Sequence, residues 1–330
     1  MTRRAWILLA FTAACAVAAV AVVALSASAP TGAGTVDDPQ AVTLPSAPYV
    51  VFRDLDRAHP EDRGRVAVLP LDDLDGPRVL AGVACERVYF SVAGGLCLEQ
   101  SGRFPVRYRA TVLDPRLQPV RSIPVPGVPS RTRVSADGRW GTTTTFVSGH
   151  SYAELGAFST HATIIDMATG RTVIDNLEEM PVTRDGAPME SVDHNLWGVT
   201  FAPDRDTFYA TLATRGTTYL VRGTISGRRL EVLHENVECP SVSPDGTRIA
   251  YKKRTGDYAL WHVTVLDLAT MRETSLAELD PIDDQIEWLD DRTVLYHNGG
   301  GISAVPADGS GAPRVFLPDA GSPSVVHPAS

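Results

Sequence analysis

Lysine is almost missing from this chain: Lys252 and Lys253 are the only two, so nearly all the positive charge is arginine. No basic cluster exceeds Lys252-Lys253-Arg254, and the 330 residues carry a formal net charge of −9. Binding to a phosphate backbone needs a concentrated basic surface, so nucleic acid is excluded as a partner. Helical periodicity is also scarce beyond the N-terminus, which argues against a helical bundle. What fills the chain instead is turn punctuation. Its 27 glycines and 24 prolines are spread along the whole length, as many short strands require.

Long apolar runs are confined to the N-terminus, where Arg3 and Arg4 precede an uncharged stretch from Ala5 to Leu25. Such a stretch is long enough to cross a hydrocarbon core of about 30 Å as a helix. The reading is a signal anchor over residues 1–25, with the N-terminus in the cytoplasm and the rest outside. Secretion after cleavage is the alternative, since Ala24, Ser26, Ala27, Ser28 and Ala29 are small. Pro30 disfavours a cut after Ala29, and the run is longer than an ordinary signal core. Residues 26–48, rich in Ser, Ala, Thr, Gly and Pro, read as a flexible tether. Membrane contact is expected through the N-terminal helix only.

Cysteine usage fits export. Cys15 lies in the apolar run, whereas Cys85 and Cys97 flank ERVYFSVAGGL, a strand–turn–strand stretch that would bring them together across a hairpin. A disulfide is expected there, with two buried free thiols as the alternative. Cys239 is left over and reads as a buried small hydrophobe.

The stretch around which the chain is organised is CPSVSPDGTRIAYKK, residues 239–253. Pro240-Ser241-Val242 leads into Pro244-Asp245-Gly246, a turn in which Pro presets φ, Asp bonds its own backbone and Gly accepts positive φ. Arg248 to Lys252 then alternates as a half-buried strand. Leu260 to Leu266 and Glu273 to Leu276 complete a four-stranded unit. An earlier copy runs from Trp197 through Pro203-Asp204-Arg205-Asp206 to Leu233, and Asp204 and Asp245 lie 41 positions apart, the period of one propeller blade. A third copy starts at Arg131 with Asp137-Gly138 and carries the insertion GHSYAELGAFS. Its Asp166-Met-Ala-Thr-Gly170 turn matches Asp267-Leu-Ala-Thr-Met271. Further copies occupy Cys85 to Val125 and Gln285 to Leu317. Residues 49–80 hold only three strands, and Ser322-Pro323-Ser324-Val325-Val326 echoes the opening of the clearest copy. The expectation is therefore an all-β, six-bladed propeller of four-stranded antiparallel blades over residues 49–330, its first blade closed by the C-terminal strand, which hides the edges of an open array.

PSVSPDGTRIAY, followed by LWHVTVLDLATMRET, resembles the TolB-type, WD-like β-propeller repeat. Residues 135, 136, 205 and 290–292 depart from its SPDG core, and an N-terminal anchor departs from TolB itself. The resemblance implies an exported or membrane-anchored protein, and because the periplasmic TolB propeller is a protein-binding scaffold, it implies a binding role.

Catalytic motifs are weak. Gly149-His150-Ser151-Tyr152-Ala153 approaches the G-x-S-x-G elbow but ends in Ala, and no βαβ pattern surrounds it. Asp280, Asp283, Asp284, Asp290 and Asp291 lack the spacing of a calcium loop and read as solvated turns. His150, His161, His194 and His262 are too dispersed to form a metal motif. No metal or cofactor is expected.

The function read from the sequence is a binding or scaffold module of the cell envelope, with another envelope protein or a small ligand at the channel mouth as its partner. A propeller hydrolase or lyase is the alternative. In a four-stranded blade the turn after the first strand lies on one face of the ring, and the second-to-third loops and the links between blades lie on the other. That second face receives His150, Ser151 and Tyr152, the link with Asp193 and His194, and the link with Asp280, Asp283 and Asp284. These eight residues are the binding candidates.

Overall fold

The organising turn closes on its own side chains. In the computed structural model, Ser243 Oγ donates to Asp245 Oδ1 at 2.5 Å, the Thr247 amide donates to the same oxygen at 3.0 Å, and Gly246 takes φ +73°. Ser135, Asp137 and Gly138 rebuild this box with distances of 2.7 and 3.1 Å and φ +70°. Asp204 caps the amides of Asp206 and Thr207, but Arg205 holds φ +72° without glycine's freedom, at a cost of about 1–2 kcal/mol. The Asp166 and Asp267 turns match as well, each carboxylate accepting from the amide and hydroxyl of the threonine three residues on.

The structure describes residues 42–102, 104–147, 159–191, 193–256 and 260–328, all within the unit Gln40–Ser330. The expected anchor, most of the tether, and the insertion with His150, Ser151 and Tyr152 lie outside the described residues. Six sheets follow one another, each with its innermost strand first in sequence except in the first blade, where it comes last, and in the fourth, where two short outer strands precede it. Their innermost strands are Ala320–Val326, Arg87–Ser91, Val128–Val134, Asn195–Phe201, Glu238–Val242 and Glu287–Asp290. Ala320–Val326 pairs antiparallel with Tyr49–Asp54, setting Val326 opposite Tyr49.

Six apolar clusters hold the ring together, one at each blade-to-blade interface. In the strand Arg248–Thr255, Ile249 and Tyr251 pack toward the fourth blade while Ala250 packs toward the sixth. The period is two, as expected, but the strand is not half-buried. A blade is sandwiched between two neighbours, so both faces are covered, and even Lys252 is only 2% exposed.

The fourth sheet departs from the four-strand expectation. Val182–Arg184 adds to its outer edge parallel to Arg229–Glu235, and Ala187–Pro188 pairs with Val182–Arg184 as a hairpin. The remaining sheets have four strands, all antiparallel. Cys85 and Cys97 form a disulfide, as the hairpin spacing predicts, and Cys239 is free and buried.

Candidate functional site

Strands alternate in direction within each blade, so every innermost strand starts at the face carrying the inter-blade links, here the loop face. It ends at the face carrying the Asp-containing turns, here the turn face. The channel therefore has two mouths of different chemistry.

At the loop face Arg87 opens the innermost strand of the second blade, and Arg131 follows a bulge between Pro129 and Arg131 in the third. Both guanidiniums converge on one backbone oxygen: Arg87 Nε donates to Ser130 O at 2.8 Å and Arg131 Nη1 to the same atom at 2.9 Å. Across the channel, the link before the sixth blade brings Asp283 and Asp284. Asp284 Oδ1 stands 3.9 Å from Arg87 and Asp283 Oδ1 3.8 Å from Arg131, ion pairs too long for direct hydrogen bonds. Lys252 Nζ donates to Asp283 at 2.6 Å and sits over the Trp261 ring. His297 Nδ1 lies 4.0 Å from Asp284. Burial pushes Arg87 below the usual arginine range, with the Arg131 and Arg53 cations adding to the effect against Asp284 and Glu86. Burial also works against ionised Asp283, but Lys252, Arg131 and Arg87 outweigh it and hold that carboxyl low. The same face exposes apolar side chains, with Phe104 97% and Leu279 77% exposed, Val106 in the Phe104 loop, and Val128 and Leu260 at strand starts of other blades.

Midway down, the channel is crossed by Arg133, Glu287 and Tyr89. Arg133 donates to Glu287 Oε2 at 2.8 Å, to Tyr89 Oη at 3.1 Å and to Ile286 O at 2.7 Å, and Tyr89 Oη donates to Glu287 Oε1 at 3.1 Å. Burial raises Glu287 despite these partners, and burial followed by the Glu287 charge raises Tyr89. Below them the turn-face mouth widens into a cavity of about 250 Å³. Every blade supplies an apolar wall: Val326, Phe90, Val134, Phe201, Val242 and Trp288.

Of the sequence candidates, Asp283 and Asp284 meet at the channel. Asp280 is exposed on the same link, its amide bonded to Glu278. Asp193 is committed internally. Although burial opposes it, bonds from Ser191, Thr214 and the Arg215 amide hold its carboxyl down at about 2. His194 is half-buried, lowered first by burial, and its Nε2 has no hydrogen-bond partner. Asp290 and Asp291 lie in a turn at the opposite face, where Asp290 caps Arg292 and Asp291 accepts the Asp245 amide. The acidic group is thus split between faces, and among the described residues no cluster of His, Cys, Asp or Glu suits a metal ion. Sequence reasoning missed Arg87, Arg131, Arg133 and Lys252. The available signal was charge at alternate positions of a first strand, Arg131-Thr132-Arg133, where every second side chain faces the channel.

No protein-family model and no curated protein sequence matches the chain. Among solved structures it is similar to TolB from Acinetobacter baumannii, with TM-score 0.56 and 15% identity over 84% of this chain. It spans 66% of that TolB chain, just under two thirds of its length. It is also similar to a chain of a nidogen/laminin complex, with TM-score 0.53 and 11% identity over 86% of this chain and 100% of that one. Identities this low speak for fold alone, and with the six-sheet ring they give one conclusion: the chain is a TolB-like six-bladed β-propeller.

Proposed function

We propose that this protein is an extracytoplasmic binding or scaffold module of the cell envelope, anchored by its N-terminal helix with the propeller outside, and that its partner docks on the loop face. The observation that carries this reading is the coincidence, on one face, of an ionic mouth assembled from separate blades and a set of exposed apolar side chains led by Phe104 and Leu279. Large exposed apolar groups on the face that carries such a mouth mark interaction surfaces. The structure found to be similar in the nidogen/laminin complex belongs to a protein–protein assembly, which is consistent with a propeller serving as a binding platform. The ionisable groups at this mouth are paired cations and carboxylates, those of Arg87 and Arg131 held at long range, as recognition surfaces allow, and among the described residues no nucleophile–base pair stands with them. The insertion with His150, Ser151 and Tyr152, which the sequence reading assigns to this face, is included in the proposed surface.

The test is crosslinking in intact envelopes, comparing loop-face variants Phe104→Ala, Leu279→Ala and Tyr152→Ala with turn-face variants Val92→Ala and Pro203→Ala, each checked for melting temperature. Capture should fall with the loop-face set and survive the turn-face set. The opposite pattern in stably folded variants would place the partner on the other side of the ring.

A further inference from the structure

Two arginines that share one acceptor are an unusual arrangement for a half-buried site. Arg87 and Arg131 both donate to Ser130 O, so their guanidiniums stand within a few ångströms of each other, yet their side chains are only 29% and 12% exposed. Like charges at that separation repel, and burial removes the water that would screen them. The carboxylates stay long: Asp284 and Asp283 approach to 3.9 and 3.8 Å, beyond hydrogen-bond range, and Arg131 Nε has no partner. Burial works against the Arg131 charge but is outweighed by Cys239 and the two aspartates, whereas burial prevails at Arg87. Lys252 adds a third cation, 2% exposed, whose carboxylate partner is again Asp283. Asp283 itself is 67% exposed. One solvent-facing carboxylate on an inter-blade link thus serves two buried cations at once.

Resting on the reading of the loop face as the binding face, we infer that this mouth accepts a carboxylate from an acidic peptide segment of the partner, taken between Arg87 and Arg131, and that Asp283 is the internal carboxylate it displaces. Guanidinium forks bind carboxylates in two parallel hydrogen bonds, stronger and more directional than the long contacts made by Asp283 and Asp284. Charge complementarity selects the side chain, and Phe104 and Leu279, exposed on the same face, offer apolar contact to the segment that carries it. Arg133, Glu287 and Tyr89 close the channel below, so the segment stops at the mouth.

Calorimetry on the full-length protein at low ionic strength tests this with an acetylated, amidated hexaglutamate peptide, its hexaglutamine isostere and succinate. Hexaglutamate should bind and hexaglutamine should not. Affinity should drop about tenfold or more in the Arg87→Gln/Arg131→Gln double variant, the scale of losing one charge-assisted fork. It should rise in Asp283→Asn, which removes the competing charge while keeping an amide oxygen that can accept from buried Lys252, with the melting temperature measured alongside because a buried cation loses its counter-charge. The inference is overturned by absent hexaglutamate binding, by binding indifferent to the arginines, or by weakening in Asp283→Asn. Succinate binding with equal affinity and the same arginine dependence would overturn the peptide and leave a site for free carboxylates. Partner capture that needs Phe104 and Leu279 but ignores the arginine pair sinks this inference alone, whereas capture that needs the turn face sinks the reading beneath it.

Discussion

Arg133 and Arg131 lie two residues apart on one strand and live in opposite circumstances. Arg133 spends its terminal nitrogens on Glu287, Tyr89 and Ile286 O at 2.7–3.1 Å, whereas Arg131 meets Ser130 O, the Cys239 thiol and two carboxylates that stay at a distance or belong to others. The first is a finished network that plugs the channel, and the second is an unfinished one at its mouth. A buried charge set contributes specificity or rigidity when it is saturated. It contributes readiness for a ligand when it is not.

Deleting the last strand is the strongest way to break that comparison, because it opens the ring on which both networks depend. Truncation after Leu317 removes Ala320–Val326, with Ala320, Ser324 and Val326 at most 2% exposed. It should cost on the order of several kcal/mol and leave an aggregating chain, read as loss of a cooperative melt. Next comes the plug. Glu287→Ala strands Arg133 in the interior and should cost about 3–5 kcal/mol, while replacing both partners by methionine should recover most of it. Equal melting points for single and double variants would show that the pair is not a closed network. Reduction of Cys85–Cys97, whose sulfurs join positions 12 apart around Arg87, should cost about 3 kcal/mol, visible as a lower melting temperature of a Cys85→Ser/Cys97→Ser variant.

A smaller effect is set by pH. Burial raises Glu178 from its ordinary 4.5 to about 7, against bonds from Thr160 and the Leu196 amide. Its charged form is the one penalised, so stability should fall as pH rises from about 4.5 through about 7, by about 1–2 kcal/mol for this partly solvated group. In Glu178→Gln that slope should disappear from urea-midpoint measurements, and an unchanged slope would assign it to other groups. The smallest change is expected at the mouth. Arg87→Gln should move stability by less than about 1 kcal/mol, since it relieves repulsion as it removes a long ion pair. A large loss there would mean that the mouth is as finished as the plug.

Much of the fold was legible because each turn carries its own chemistry: Ser-x-Asp-Gly at Ser243 and Ser135, and Asp-x-Ala-Thr at Asp166 and Asp267, announce hairpins from a handful of neighbouring residues. The extra hairpin of the fourth sheet was missed although Asp185-Gly186 marks it, because strands of three and two residues carry no readable period. The charged mouth was half visible. Asp283 and Asp284 could be placed by parity of the links, but their meeting with Arg87, nearly two hundred positions earlier, is made by ring closure and leaves no local trace.

Tyr49 and Val326, opposite each other in the first blade, make this ring a loop of chain with its cut in a turn between a first and a second strand. Joining those ends and cutting any of the other five equivalent turns would permute the sequence circularly while keeping each blade's strand pairing. Every such permutant would deliver both ends to the turn face, because a first strand always finishes there and a second always starts there. A cut in a second-to-third loop would deliver them to the loop face instead. Which blade holds the ends of the ring is thus set by where the circle is opened, but the face at which those ends emerge is fixed by whether the cut follows an odd or an even strand.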